Sequence, residues 1–138
     1  DKDIYYRVLN LQNPFADGRT PYFHKSLGGY HGAKMKRYSE LIKYSIEPEM
    51  KTLIAGFKKP ASIDSVMSLL PVINMLNTKY YIYDPAQPPL SNTHALGNVW
   101  LVKEVKLVDK ADDEISSLQH FDPKSTAAQC LAWLAVPC

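Results

Sequence analysis

The chain has 138 residues, of which 46% are hydrophobic and 22% are charged, and its formal net charge is +2. These values are typical of one ordinary globular domain and exclude a chain that is disordered over its whole length. The small net charge lacks the concentrated basic field that nucleic-acid binding requires, so we predict no nucleic-acid partner.

The ends of the sequence indicate a portion of a longer protein. The chain begins at Asp1 rather than at a methionine and reaches strand-like residues almost at once. No run of residues approaches the ~18 apolar residues that span a bilayer. Both cysteines, Cys130 and Cys138, lie near the C-terminal end, so no disulfide framework is expected to hold the domain together.

The first half of the chain predicts a strand followed by helices. Residues 4–11 (IYYRVLNL) are rich in β-branched and aromatic types, which predicts a buried strand. Asn-Pro and Asp-Gly pairs predict a loop over residues 12–21. Apolar side chains at near-helical spacing predict a helix over residues 33–46. We expect Glu47 and Pro48 to reset the chain, with Pro48 in the first turn of a second helix.

The middle of the chain predicts short helices and a second strand. Ser62 is expected to cap a helical stretch, which Pro71 divides into two short pieces. Residues 79–83 (KYYIY) predict a strand. The proline-rich residues 84–91 predict a loop without regular ladder hydrogen bonds.

The last predicted elements are a long strand and a helix. Residues 98–108 predict a strand antiparallel to residues 79–83, and residues 109–120 predict a helix with an acidic first turn. The strand's inward face is expected to carry four apolar side chains, those of Val99, Leu101, Val105 and Leu107. Together the elements predict a mixed α/β (α+β) fold, in which a small sheet of about three strands packs against several short helices.

Familiar catalytic and metal-binding patterns are missing from the sequence. His24 and His31 are seven residues apart with no carboxylate or thiol between them, and His94 stands alone, so we predict no metal site and no cofactor. No nucleophile elbow is present, so no catalytic residue is predicted. A stand-alone hydrolase would require Ser26 or Asp17 within hydrogen-bond distance of a histidine.

The most distinctive stretch is the 22–33 segment (YFHKSLGGYHGA). It combines aromatic rings that have polar tips with two imidazoles and three glycines, which suits the binding of a sugar or a peptide. The candidate ligand-binding residues are therefore Tyr22, His24, Tyr30 and His31. The alternative is an architectural loop, in which the aromatic rings anchor the segment to the core and the glycines form its turns.

Four stretches together resemble the bacterial YfhO-type membrane proteins. They are RVLNL at residues 7–11, the run from YFHKSLGG to SELI at residues 22–42, VINMLNTKYYI at residues 72–82, and the run from GNVWLV to QHFDP at residues 97–123. These large polytopic proteins are likened to lipid-sugar-dependent glycosyltransferases of the GT-C class. The resemblance extends to about Ala128, so we expect one domain over residues 1–128 and an atypical tail over residues 129–138. That tail is expected to be either an altered chain end or an apolar strand.

The resemblance implies a setting rather than a catalytic site. The family carries a portion outside the cytoplasmic membrane near its C-terminus, and the catalytic acids are expected in the membrane half, which this chain does not contain. The implied function is a non-catalytic, extracytoplasmic (periplasmic) accessory domain of a membrane glycosyltransferase-like protein. Its expected partners are the membrane half of the parent and a cell-envelope glycan, acceptor or lipid-linked sugar. The alternative is a purely structural or protein-interaction module.

Overall fold

The structure, a computed structural model, describes residues 4–57 and 63–130, without the side chain of His120. The predicted cap at Ser62 lies outside the described residues. The mixed α/β (α+β) fold is confirmed, with short helices and small sheets. In chain order the elements are β1 (Arg7–Asn10), α1 (Arg19–Phe23), α2 (Lys36–Leu41), a π-helical turn (Ile42–Ile46), α3 (Glu47–Gly56), α4 (Ile63–Ser68), α5 (Pro71–Met75), β2 (Thr78–Ile82), β3 (Leu90–Ser91), β4 (Glu104–Val108), α6 (Ala111–Ser117), a 3₁₀ turn (Leu118–His120) and β5 (Thr126–Cys130).

The larger sheet contains three strands. β1 and β2 run parallel, with Leu9 opposite Tyr81, and β2 pairs antiparallel with β3. Leu90 and Ser91 belong to the stretch that was predicted to be a loop without ladder hydrogen bonds. That prediction is wrong at its C-terminal end, because the last proline is Pro89 and the two residues after it can pair with β2.

The second sheet is a parallel pair, β4 and β5, with Glu104 opposite Thr126. The predicted antiparallel pairing of residues 98–108 with residues 79–83 is therefore wrong. Only Glu104–Val108 form a strand, and their partner is β5, most of which lies before the tail for which a strand was one of two expectations. β5 includes residues 129 and 130 of the predicted tail, and the rest of that tail, residues 131–138, lies outside the described residues.

The helical run of α2, the π turn and α3 does not break at Pro48. Pro48 lies in the first turn of α3, as predicted. Ile46 and Glu47 both keep helical backbone angles, however, so the predicted reset of the chain does not occur. A proline inside an α-helix clashes with the carbonyl group four residues earlier. The π turn directly before Pro48 has wider hydrogen-bonded rings, and this irregularity accommodates the proline.

The core lies between the β1–β2 sheet and the helices. Burying each large aliphatic side chain in it contributes ~1.5–3 kcal/mol. The buried cluster consists of Leu9, Leu27, Ile42, Ile46, Met50, Leu53, Met67, Leu70, Val72, Ile73 and Tyr81. Leu27 belongs to the 22–33 segment, so this segment reaches the core by an aliphatic side chain.

A buried polar cluster holds β2 to its surroundings. The Asn92 side-chain amide is 3% exposed and donates to the Asn74 Oδ1 and the Thr78 carbonyl oxygen, both at 2.8 Å, and lies 3.1 Å from the Tyr81 hydroxyl oxygen. Asn77 adopts a left-handed backbone (φ 55°) between α5 and β2, which Asn tolerates better than most residues. Within the VINMLNTKYYI stretch, Asn77 therefore forms a turn and Thr78 takes part in the buried polar cluster.

The prediction of an inward apolar face on the 98–108 stretch is wrong. Leu101 is 92% exposed and Leu107 is 54% exposed. The Trp100 indole N–H instead donates to the Pro123 carbonyl oxygen at 2.6 Å, and α6 lies on the same side as this ring. Trp100, Val102 and Val108 are half-buried, whereas Glu104 and Lys106 on the same face are exposed. On the other face the side chains of Val99, Leu101, Val105 and Leu107 are all exposed.

Candidate functional site

The start of the candidate site is fixed by the Asp17 carboxylate. It accepts hydrogen bonds from the Arg19 and Thr20 backbone N–H groups at 2.8 and 3.1 Å, from the Thr20 hydroxyl group, and from the Asn10 amide at 3.2 Å. These bonds, above all that of the Thr20 hydroxyl, lower the pKa of Asp17 to about 2. They attach the first turn of α1 to the end of β1, so α1 has a fixed position despite its five residues.

The centre of the 22–33 segment runs beside β1. The Val8 N–H donates to the Lys25 carbonyl oxygen at 2.8 Å, and the Leu27 N–H donates to the Val8 carbonyl oxygen at 3.0 Å. The Gly28 N–H then donates to the Ser26 hydroxyl oxygen at 3.0 Å. The segment is therefore attached to the sheet by backbone bonds and does not extend freely into solvent.

Two glycines permit the close packing that follows. A Cβ atom on Gly28 would lie 1.6 Å from the Pro14 carbonyl oxygen. Gly29 has φ +120°, and a Cβ there would lie 2.6 Å from the Pro21 Cγ. The Gly29 N–H donates to the same Pro14 oxygen at 2.7 Å. Only glycine fits these two positions, whereas Gly32 has no atom within 4 Å of its Cβ position.

The aromatic residues of the segment lie at the surface. Tyr22, on α1, is 82% exposed, and Tyr30 is 72% exposed. The two follow Pro21 and Gly29, and the Cβ position of Gly29 lies 2.6 Å from the Pro21 Cγ, so the two backbone stretches are close together. The Tyr22 ring also contacts the Phe23 ring edge-on, with 4.9 Å between the two ring centres. The proposed anchoring of the segment by its aromatic rings therefore does not describe Tyr22, Phe23 or Tyr30.

The two candidate histidines, His24 and His31, lie in different places on the surface. His24 ends α1, where its backbone N–H donates to the Thr20 carbonyl oxygen, and its side chain is exposed. His31 lines a cleft of about 550 Å³, which Tyr22, His24 and Tyr30 do not line. Tyr30 lies in the chain between two residues of the cleft wall, Gly29 and His31. The structure thus places Tyr30 at the border between the aromatic surface and the cleft.

The cleft also contains residues that the sequence did not single out. Arg7 on β1 and Lys34 stand in its wall, and Leu27, Leu41 and Leu76 supply apolar surface. The Arg7 guanidinium donates to the Leu76 carbonyl oxygen at 3.1 Å. The sequence does not indicate Arg7 as a site residue, because it lies in an ordinary strand pattern. Only the parallel position of the 22–33 segment beside β1 brings Arg7 into the same cleft wall as His31.

Tyr38, on α2, also lines the cleft. Its hydroxyl group donates to the Leu27 carbonyl oxygen, and burial raises the pKa of Tyr38 against a smaller opposing effect of the Arg7 charge. The phenol is therefore a neutral donor that fixes the 22–33 segment to α2. The hydrogen bond from Tyr38 to Leu27 therefore fixes this part of the cleft wall.

The residues considered for hydrolysis have other partners. Within residues 4–57 and 63–130, neither Ser26 nor Asp17 has a hydrogen bond to a histidine. No group of three or more His, Cys, Asp or Glu residues in the described parts of the chain could hold a metal ion. His94 does not stand alone in space: its Nε2 atom lies 3.2 Å from a carboxylate oxygen of Asp64, which is largely exposed.

Comparisons with protein-family models, with curated proteins and with solved structures find no match to this chain. In the described parts, no helix has the length and the apolar character that crossing a bilayer requires.

Proposed function

We propose that this chain is a non-catalytic, glycan-binding accessory domain of a membrane glycosyltransferase-like protein, and that it lies on the extracytoplasmic (periplasmic) side. The resemblance to YfhO-type proteins motivates the setting. The exposed aromatic surface formed by Tyr22, Phe23 and Tyr30 carries the binding role. Its partners are the membrane half of the parent and a cell-envelope glycan or lipid-linked sugar.

The exposure of the three rings supports the binding role. Tyr22 is 82%, Phe23 65% and Tyr30 72% exposed, although each ring could bury a large apolar area in a core. The Tyr22 and Phe23 rings contact each other, and a large exposed apolar patch on a protein marks a place where something binds. A sugar ring matches this surface because its C–H face stacks on an aromatic ring while its hydroxyl groups bond to phenol and imidazole groups.

The rigidity of the frame is a second support. Tyr22 lies on the short helix that Asp17 holds to β1, and Tyr30 follows a glycine pair packed against Pro14 and Pro21. Rings on a fixed backbone lose little conformational freedom on binding, so more of the stacking energy appears as affinity. An unattached loop would lack this advantage.

The second candidate function is a structural or protein-interaction module. It is favoured by the exposed apolar row on β4 and the residues before it, where Leu101 is 92% and Val99 86% exposed. In that case the 22–33 segment serves only to hold β1 against α2, and a partner surface covers the β4 side. Binding measurements at the two places separate the candidates, because the aromatic surface and the β4 row involve different residues.

The experiment is a titration of the ¹⁵N-labelled chain with N,N′-diacetylchitobiose, a neutral disaccharide of N-acetylglucosamine. The proposal predicts amide shifts at millimolar sugar for Tyr22, Phe23 and Tyr30, with no shifts for Leu101 and Leu107. Unchanged spectra for this disaccharide and for neutral glucose and galactose disaccharides at the same concentration would contradict the proposed function.

A further inference from the structure

We propose that the cleft beside Tyr30 binds an anionic oxygen group, a carboxylate or a phosphate, carried by the glycan. This inference rests on the proposed function, because the anionic group would belong to a glycan that also contacts the aromatic surface beside the cleft. The groups that would bind the anion are the side chains of Arg7, Ser26, His31 and Lys34.

The charges that line the cleft carry the argument. Arg7 and Lys34 are both cationic, and among the described residues no Asp or Glu lines the cleft. In contrast, Arg37 on the neighbouring helix is paired with Glu40 and Asp112 at 3.0 and 2.8 Å. The positive charge of the cleft is therefore left for a ligand.

The hydrogen-bonding groups of the cleft are donors. One N–H of Arg7 donates to the Leu76 carbonyl oxygen, and the guanidinium has further N–H groups that can reach a ligand. The Ser26 oxygen accepts from the Gly28 N–H, so its own proton remains to be donated. Lys34 is held over the Phe15 ring, with its Nζ 5.3 Å from the ring centre, so its ammonium group has a restricted position. A set of donors without carboxylates suits an oxyanion and does not suit a cation.

The position of the cleft links it to the aromatic surface. Gly29 and His31 line the cleft, and Tyr30 between them is exposed. A sugar stacked on Tyr30 would therefore place a substituent near His31 and Lys34. The volume of about 550 Å³ accommodates a carboxylate or phosphate together with part of a sugar ring.

The test compares two disaccharides that differ chiefly in one acidic substituent: N,N′-diacetylchitobiose and N-acetylglucosaminyl-N-acetylmuramic acid, which carries a lactyl carboxylate. Inorganic phosphate is the third probe. We expect the acidic disaccharide to bind about tenfold more tightly than the neutral one at low salt. The difference should shrink as sodium chloride is added, because salt screens exposed charges.

The informative variant is Lys34→Gln, and its matched control is Lys36→Gln. Lys36 is largely exposed and lies outside the cleft wall, near Glu40 on its own helix. Lys34→Gln should abolish most of the preference for the acidic disaccharide, measured as the ratio of the affinities for the two disaccharides in the same variant. Lys36→Gln should keep the preference.

The outcomes distinguish this inference from the proposed function. Equal affinity for both disaccharides, or equal loss in the two lysine variants, would overturn the anion site and leave glycan binding standing. If phosphate shifts the amide signals of His31 and Lys34 while neither disaccharide binds, the anion site is supported and the proposed function fails. If neither phosphate nor the acidic sugar affects these signals, the inference is wrong.

Discussion

Gly28→Ala tests the architecture of the 22–33 segment most sharply. The new Cβ would lie 1.6 Å from the Pro14 carbonyl oxygen. Ordinary contact requires about 3.5 Å, so the two backbone stretches must separate by about 2 Å. This movement breaks the Gly29 N–H bond to Pro14, worth about 1 kcal/mol, and adds an overpacking cost of about 1–3 kcal/mol. We therefore expect a loss of about 2–4 kcal/mol in the free energy of unfolding.

Gly32→Ala is the matched control for this prediction. Its Cβ position has no atom within 4 Å, so its stability should stay within about 0.5 kcal/mol of the wild type. Urea unfolding followed by circular dichroism measures both free energies. Thermal unfolding should show a decrease of about 10 °C in Tm for Gly28→Ala alone. Equal stability of the two variants would refute the packing of Gly28 against Pro14.

Three further predictions concern stability. The Glu49 carboxylate accepts two backbone N–H bonds at the start of α5, and burial raises its pKa to about 7 from 4.5. The folded state then holds the proton more tightly than the unfolded state, so the free energy of unfolding falls by up to ~3 kcal/mol between about pH 4.5 and 7. Glu49→Gln should remove this fall. A Glu49→Gln variant that keeps the pH profile of the wild type would contradict the prediction. Asn92→Ala should lower the free energy of unfolding by about 2–3 kcal/mol, because it leaves buried hydrogen-bond acceptors unpaired. Asn13→Ala, at an exposed position, should lower it little when both are measured by urea unfolding. Leu101→Ser should change the free energy of unfolding by less than about 0.5 kcal/mol, because Leu101 is 92% exposed, and a loss typical of a core leucine would contradict this position.

The sequence predicted those elements whose own residues favour them. The β-branched and aromatic stretches became β1 and β2, and Pro71 divided α4 from α5 as expected. β5 (TAAQC) was missed because alanine and glutamine give it little strand propensity, and its pairing with β4 is what makes it a strand. The π turn before Pro48 was missed because a proline after a helical pattern normally indicates a break.

The candidate site was predictable only in part. Unusual composition marked Tyr22, Tyr30 and His31, and the structure leaves all three exposed. Whether a ring anchors a loop or faces solvent depends on packing that a segment without periodicity does not reveal. Arg7 could not be connected with the site, because the contact across β1 is a tertiary one.

The central claim is that the surface around Tyr22 and Tyr30 binds glycan. The most direct test is calorimetric titration of N,N′-diacetylchitobiose into the wild type, Tyr22→Ala/Tyr30→Ala and Tyr44→Ala, in which Tyr44 is another exposed tyrosine, located on the π turn. Loss of stacking should weaken binding by about tenfold in the double variant. Tyr44→Ala should bind as the wild type does. Equal affinity of all three proteins, or binding by none, would contradict the claim.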